Sequence, residues 1–205
     1  IAIWGGVERR YAAIKFFLYT FTGSMLTFAG VLYLAYAAYS LPANLGGVGR
    51  FTFDLDILYG LKIGTRAQWW LFLAFAAGFA VKVPVWPLHT WLPLAHTEAP
   101  TAGSVLLAGI LLKLGTYGFL RFCLPLTPAA SEYFAPMMIA ISIASILYGG
   151  AVALGQSDIK KLIAYSSVGH MGFVTLGIFL FNLRGVEGAL FQMLNHGVVT
   201  GGLFM

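Results

Sequence analysis

Long apolar runs alternate with short polar breaks along this chain. Tyr11–Ser40 carries Lys15 near its start and no charge after it. It exceeds the roughly 20 residues needed to cross hydrocarbon. Gln68–Leu94 is a second apolar stretch, interrupted by Lys82, Pro84 and Pro87. Ala99–Arg121 is a third; Pro100 suits its first turn, and Lys113 lies in its interior. Tyr133–Gly155 is a fourth, free of charge. Asp158–Phe181 is a fifth, with an amphipathic start and His170 inside. A sixth begins near Gly188 and contains His196. The connections are Gly5–Arg10, Leu41–Ala67, Phe122–Glu132 (a proline-containing loop) and Asn182–Glu187 (a tight polar turn). Within the longest of them Phe51–Leu58 alternates, which predicts a short strand or an interfacial segment. Ile1–Trp4 reads as the tail of an earlier helix. Both ends fall in apolar runs, so the sequence reads as an internal piece of a longer protein. The pattern predicts an all-α polytopic membrane protein of about six spans, one of them broken, in a single transmembrane domain over residues 1–205.

Composition agrees. Hydrophobic residues make up 60% and charged residues 9%, against roughly 25% charged in a soluble domain. Twelve Lys+Arg against seven Asp+Glu gives +5. The basic residues are scattered singly and in pairs, which suits headgroups at helix ends and not nucleic acid. Alternate loops on both sides carry basic residues, so the count leaves orientation open; taken over short loops only, it leans toward Gly5–Arg10 and Asp158–Lys161 being cytoplasmic. The lone Cys123 excludes a disulfide framework or a cysteine metal site within the chain. No GxGxxG, P-loop or cysteine cluster marks a nucleotide, flavin or iron–sulfur site.

Chemistry concentrates at a few positions. Pro84 and Pro87 remove their own N–H groups and free the carbonyls of Ala80 and Val83. In hydrocarbon such carbonyls are tolerated only beside protein or water. With Lys82 at the same place, this predicts a broken helix bordering a hydrated cavity, as ion and proton carriers use. The competing reading is a lysine snorkelling to the interface. Lys113 lies near half-depth, where snorkelling is harder; the alternative is a silent pair with a buried carboxylate. Leu106, Gly109, Ile110 and Lys113 share a face at helical spacing, and Gly109 there allows close helix approach. His170 has Tyr165, Ser166 and Ser167 upstream, and His196 has Gln192 and Asn195 nearby. Each can exchange a proton near neutrality, or simply bond across helices. Lys82 and Lys113 are expected to exchange protons with each other. Glu98 reads as a first-turn carboxylate. His89 and His96 read as packing at the membrane edge, and Trp69, Trp70, Trp86 and Trp91 as interface aromatics. No complete span holds an acidic partner for the lysines.

These residues resemble a known family. KVPVWPLHTWLPLAHTEAPTAGSVLLAGILLKLGTYGFLRF (Lys82–Phe122) and DIKKLIAYSSVGHMGF (Asp158–Phe173) are similar to the antiporter-like subunit 4, or subunit M, group of respiratory complex I, the proton-pumping NADH:quinone oxidoreductase. IWGGVERRYAAIKFFLYT (Ile3–Thr20) and LFQMLNHG (Leu190–Gly197) match it too. The resemblance covers nearly the whole chain, most weakly at Leu41–Ala67. It implies an antiporter-like helix bundle built of inverted repeats, each with a broken helix, in a bacterial plasma membrane or a mitochondrial inner membrane. It implies that Lys82, Lys113, His170 and His196 transfer protons, with a paired glutamate before Ile1 and a further charged residue on a second broken helix after Met205. It places Gly5–Arg10 on the cytoplasmic or matrix side. NADH, FMN, iron–sulfur clusters and quinone are then expected in other subunits, and no cofactor on this chain. The implied partners are the bilayer, other membrane subunits of the complex and protons. Leu94 departs from the family, many members of which carry an acidic residue there. The same fold also serves multisubunit cation/proton antiporters and membrane-bound hydrogenases, and a passive scaffold is a further alternative.

Overall fold

A computed structural model describes all residues, Ile1–Met205. Every regular element is helical. In chain order these are α1 (Arg9–Ser40), the short α2 (Leu55–Tyr59), α3 (Thr65–Lys82), α4 (Trp91–Glu98), α5 (Thr101–Leu126), α6 (Pro128–Leu154), α7 (Ile159–Phe179) and α8 (Leu183–Leu203). Four of them, α1, α5, α6 and α7, are long and apolar enough to cross a membrane. The expected six is reached only by adding the broken α3–α4 pair and α8, which fall short of that measure.

Polar contacts between elements fix the direction of the chain. Gly6 N–H donates to the Glu98 carbonyl at 3.1 Å, and Lys160 Nζ to the Ala99 carbonyl at 3.4 Å. The starts of α1, α5 and α7 and the end of α4 therefore meet at one rim. At the other end Tyr59 Oη donates to the Arg121 carbonyl at 3.0 Å, and Ala129 N–H to Gln68 Oε1 at 3.2 Å. Between the rims the core is a relay of rings, with Phe79 against Phe119 at 5.6 Å and Phe119 against Phe179 at 5.4 Å. Lipid is as apolar as these rings, so close packing and not exclusion from water holds the helices together.

Several expected boundaries move. Ile1–Trp4 forms turns and not a helix end. Phe51–Leu58 makes no strand: Asp54 Oδ1 accepts from Asp56 N–H and caps α2 instead, a standard helix-start device. Phe122–Glu132 is not a loop. α5 runs on to Leu126, Thr127 alone intervenes, and Pro128 opens α6 at its first position, where its missing N–H costs nothing. The hydroxyls of Thr127 and Ser131 both donate to the Cys123 carbonyl, at 2.7 and 2.8 Å, closing that corner. Glu132, assigned to the loop, lies in α6 and is exposed. Asn182–Glu187 is mostly helix too, because Asn182 Oδ1 accepts from Gly185 N–H at 2.6 Å and starts α8 at Leu183.

Candidate functional site

The break in the second span lies at the expected place, between Lys82 and Trp91. Val83 is fully buried and Val85 nearly so, while Trp86 and Pro87 are exposed, so this chain covers the first part of the break and leaves the second open. The Ala80 carbonyl is not loose, because Val85 N–H reaches it at 3.2 Å. The Val83 carbonyl accepts no hydrogen bond from the backbone. Trp86 N–H donates to Ser145 Oγ at 2.8 Å, and Trp91 Nε1–H to the Val81 carbonyl at 2.9 Å. Trp91 is therefore a core residue that satisfies backbone opened by the break, and not an interface aromatic. Gly115 of α5 lets the break close against its neighbour. A Cβ there would stand 2.6 Å from Val83 Cγ2 and 3.0 Å from Lys82 Cβ.

Lys113 lies about 18 Å from the start of α5 at 1.5 Å per residue, near the middle of a hydrocarbon layer of about 30 Å. Its ammonium group donates to the Ala108 carbonyl and meets His196 Nδ1 at 2.6 Å. The His196 ring meets the His170 ring at 5.7 Å, nearly edge-on at 79°. Three of the four expected residues thus form one row across α5, α8 and α7. Lys82 is half-buried and makes no hydrogen bond to that row; the partners of Lys113 are a carbonyl and an imidazole.

The local backbone explains the aim of Lys113. Residues Leu107–Leu111 form a π turn inside α5, a widened turn that changes which residues share a face. Leu106 and Ile110 consequently face outward, at 58% and 57% exposure, while Lys113 turns inward. The shared face expected from regular spacing does not form. Close approach comes from Gly197 of α8, where a Cβ would stand 3.3 Å from the Gly109 carbonyl and 3.7 Å from Lys113 Cε.

The serines beside His170 are tied to their own helix. Ser166 Oγ and Ser167 Oγ both donate to the Ile163 carbonyl, at 2.8 and 3.0 Å. A hollow of about 460 Å³ instead runs from His170 past Gln192 to Arg184, toward the rim opposite Lys160. Glu98 is a helix-start carboxylate, but for α1: its Oε2 accepts from Glu8 N–H at 3.0 Å.

Two histidines were underweighted from sequence. His96 is fully buried and His89 is 2% exposed, so both pack inside this chain. None of their four ring nitrogens has a hydrogen-bond partner. The signal in the sequence is one histidine inside a helix break and one just after it; what local sequence lacks is the cover that distant residues give them.

The geometry can be set beside known proteins. The whole chain, residues 1–205, matches the family described as NADH:quinone oxidoreductase/Mrp antiporter, TM. NADH-quinone oxidoreductase subunit M of Rhodobacter capsulatus is 52% identical over 210 residues, which covers 100% of this chain and 40% of the relative. NADH-ubiquinone oxidoreductase chain 4 of Chondrus crispus is 48% identical over 206 residues, covering 100% and 39%. This chain therefore spans about 40% of the length of these relatives. Among solved structures, a chain of respiratory complex I from Thermus thermophilus with bound NADH superposes with a TM-score of 0.86 at 37% identity, over 98% of this chain and 41% of that one. A chain of the Mrp complex from Dietzia sp. DQ12-45-1b superposes with a TM-score of 0.76 at 23% identity, over 97% and 35%; this second likeness is one of fold. With four apolar helices, the chain is an integral membrane protein.

Proposed function

We propose a proton-translocating role for this chain, which belongs to the NADH:quinone oxidoreductase/Mrp antiporter family of transmembrane proteins. The protein that contains it is a membrane subunit of a proton-pumping NADH:quinone oxidoreductase. NADH oxidation, FMN, iron–sulfur clusters and quinone reduction belong to other subunits, and this chain performs no redox chemistry. Its neighbours are lipid and the other membrane subunits.

The contact between Lys113 Nζ and His196 Nδ1 carries this reading. A cation held at mid-depth costs about 2.5–3.5 kcal/mol on insertion scales, a cost that a static role leaves unexplained. A lysine bonded to an imidazole, itself beside a second imidazole, is a donor–acceptor row along which a proton can step. Lys82, at the break, loads or unloads the row through water. Identities of 48–52% to oxidoreductase subunits, against 23% to the Mrp chain, favour the oxidoreductase over a cation/proton antiporter.

The test is NADH-driven proton uptake by inverted membrane vesicles that carry the whole protein. Lys113→Ala is expected to lower uptake while the protein still assembles. Wild-type uptake in that variant would overturn the reading.

A further inference from the structure

We propose that His96 is a second proton-bearing site, on the rim side of the row, and that Phe204 is the apolar gate between them. The proposal rests on the proton-translocating reading above. His96 lies on α4, two residues from Glu98, just inside the rim where Lys160 reaches the Ala99 carbonyl. Its carbonyl accepts from Ser104 Oγ at 3.3 Å, which fixes the helix end and leaves the ring free. The ring is wholly covered by this chain, and both its nitrogens lack a protein partner. A buried polar group in that position is served by water, and an imidazole served by water can take a proton at one ring nitrogen and give one up again.

Phe204 covers one face of that ring, parallel to it within 5° and 4.4 Å away. Phe204 also packs with Ala108 and Ile163, and Val105 supports the cluster. The carbonyl of that same Ala108 receives the Lys113 ammonium group. The order is therefore His96, Phe204, Ala108, Lys113, His196. A polar site near the rim and a polar row at mid-depth are separated by a thin apolar layer. Apolar constrictions of this kind pass or block water as they wet and dry. His89, equally without partners, meets Tyr148 and Tyr165 edge-on.

The step balances without any co-reactant. Rim water gives a proton to one ring nitrogen of His96. Phe204 leaves its stack, and water fills the gap. Lys113 hands its own proton to His196 Nδ1, the resulting amine takes up the proton arriving along that water, and His96 returns to the neutral imidazole. Only N–H and O–H bonds form and break.

The experiment uses the whole protein in its native membranes, with NADH-driven proton uptake and passive proton leak both measured in vesicles. His96→Gln keeps the shape and the hydrogen bonding but holds no proton, and is expected to lower uptake by on the order of tenfold at normal abundance. Phe204→Ala is expected to raise the passive leak. Phe204→Trp is expected to lower uptake without raising the leak. A packing role alone would lower abundance and would not move leak and uptake in opposite directions. Should His96→Gln fail to assemble, the ¹⁵N signal of ring-labelled wild-type His96 decides: broadening by exchange with solvent protons supports the proposal, and a dry, unexchanging ring overturns it. Wild-type uptake and leak in all three variants, with Lys113→Ala defective, would overturn the proposal and leave the proton-translocating reading standing. Wild-type uptake in Lys113→Ala would bring down both.

Discussion

Lys113 Nζ and His196 Nδ1 lie 2.6 Å apart although 83 positions separate them in the chain. The two belong to α5 and α8, which meet where Gly197 lets the backbones close. Their dependence on each other is measurable. Lys113→Ala and His196→Ala should each lower proton uptake, and the double variant should be little worse than either. The coupling from a double-mutant cycle is expected at roughly 0.5–3 kcal/mol. Additive losses would show that the pair does not work as a unit.

Lys82 makes no hydrogen bond to that row, so its effect should be separable. Lys82→Ala is expected to reduce proton uptake while leaving the assembled protein abundant, because its side chain is only half-buried. Abundance on blue-native gels, read beside vesicle uptake, checks this. Loss of the assembled protein would give Lys82 a structural role instead.

Gly115 is where α5 closes on the break. Gly115→Leu drives a side chain into Val83 Cγ2, already 2.6 Å from a Cβ at that site. Overpacking of this kind costs about 1–3 kcal/mol. The thermal midpoint of the detergent-solubilised protein should fall, and an unchanged midpoint would show that the break is not packed as described.

Trp91 supports the same break from within. Trp91→Phe keeps the ring but leaves the buried Val81 carbonyl without its donor at 2.9 Å, a loss of about 1–3 kcal/mol. Hydrogen exchange in α3 should speed up near Val81, and unchanged protection there would contradict the assignment.

The spans were legible because apolar runs and prolines act locally. The break followed from Pro84 and Pro87 and lies where they place it. The loops were harder. Thr127–Pro128 reads as loop by composition, yet two hydroxyls on one carbonyl make a corner of a single residue there. The inward aim of Lys113 depends on a π turn, and regular spacing assumes none. Lys113, His170 and His196 were each visible as polar groups in apolar runs, but their junction is set by long-range packing that no local pattern encodes. The stack of His96 on Phe204, far along the chain, is likewise a long-range contact that no local pattern encodes.

Whether a proton moves through these imidazoles can be watched directly. Infrared difference spectra of the ring-labelled protein, taken with and without NADH turnover, report histidine protonation. The account predicts a label-shifted histidine band that appears in turnover and disappears in His196→Gln. No histidine band in turnover, or one that survives in His196→Gln unchanged, would contradict it.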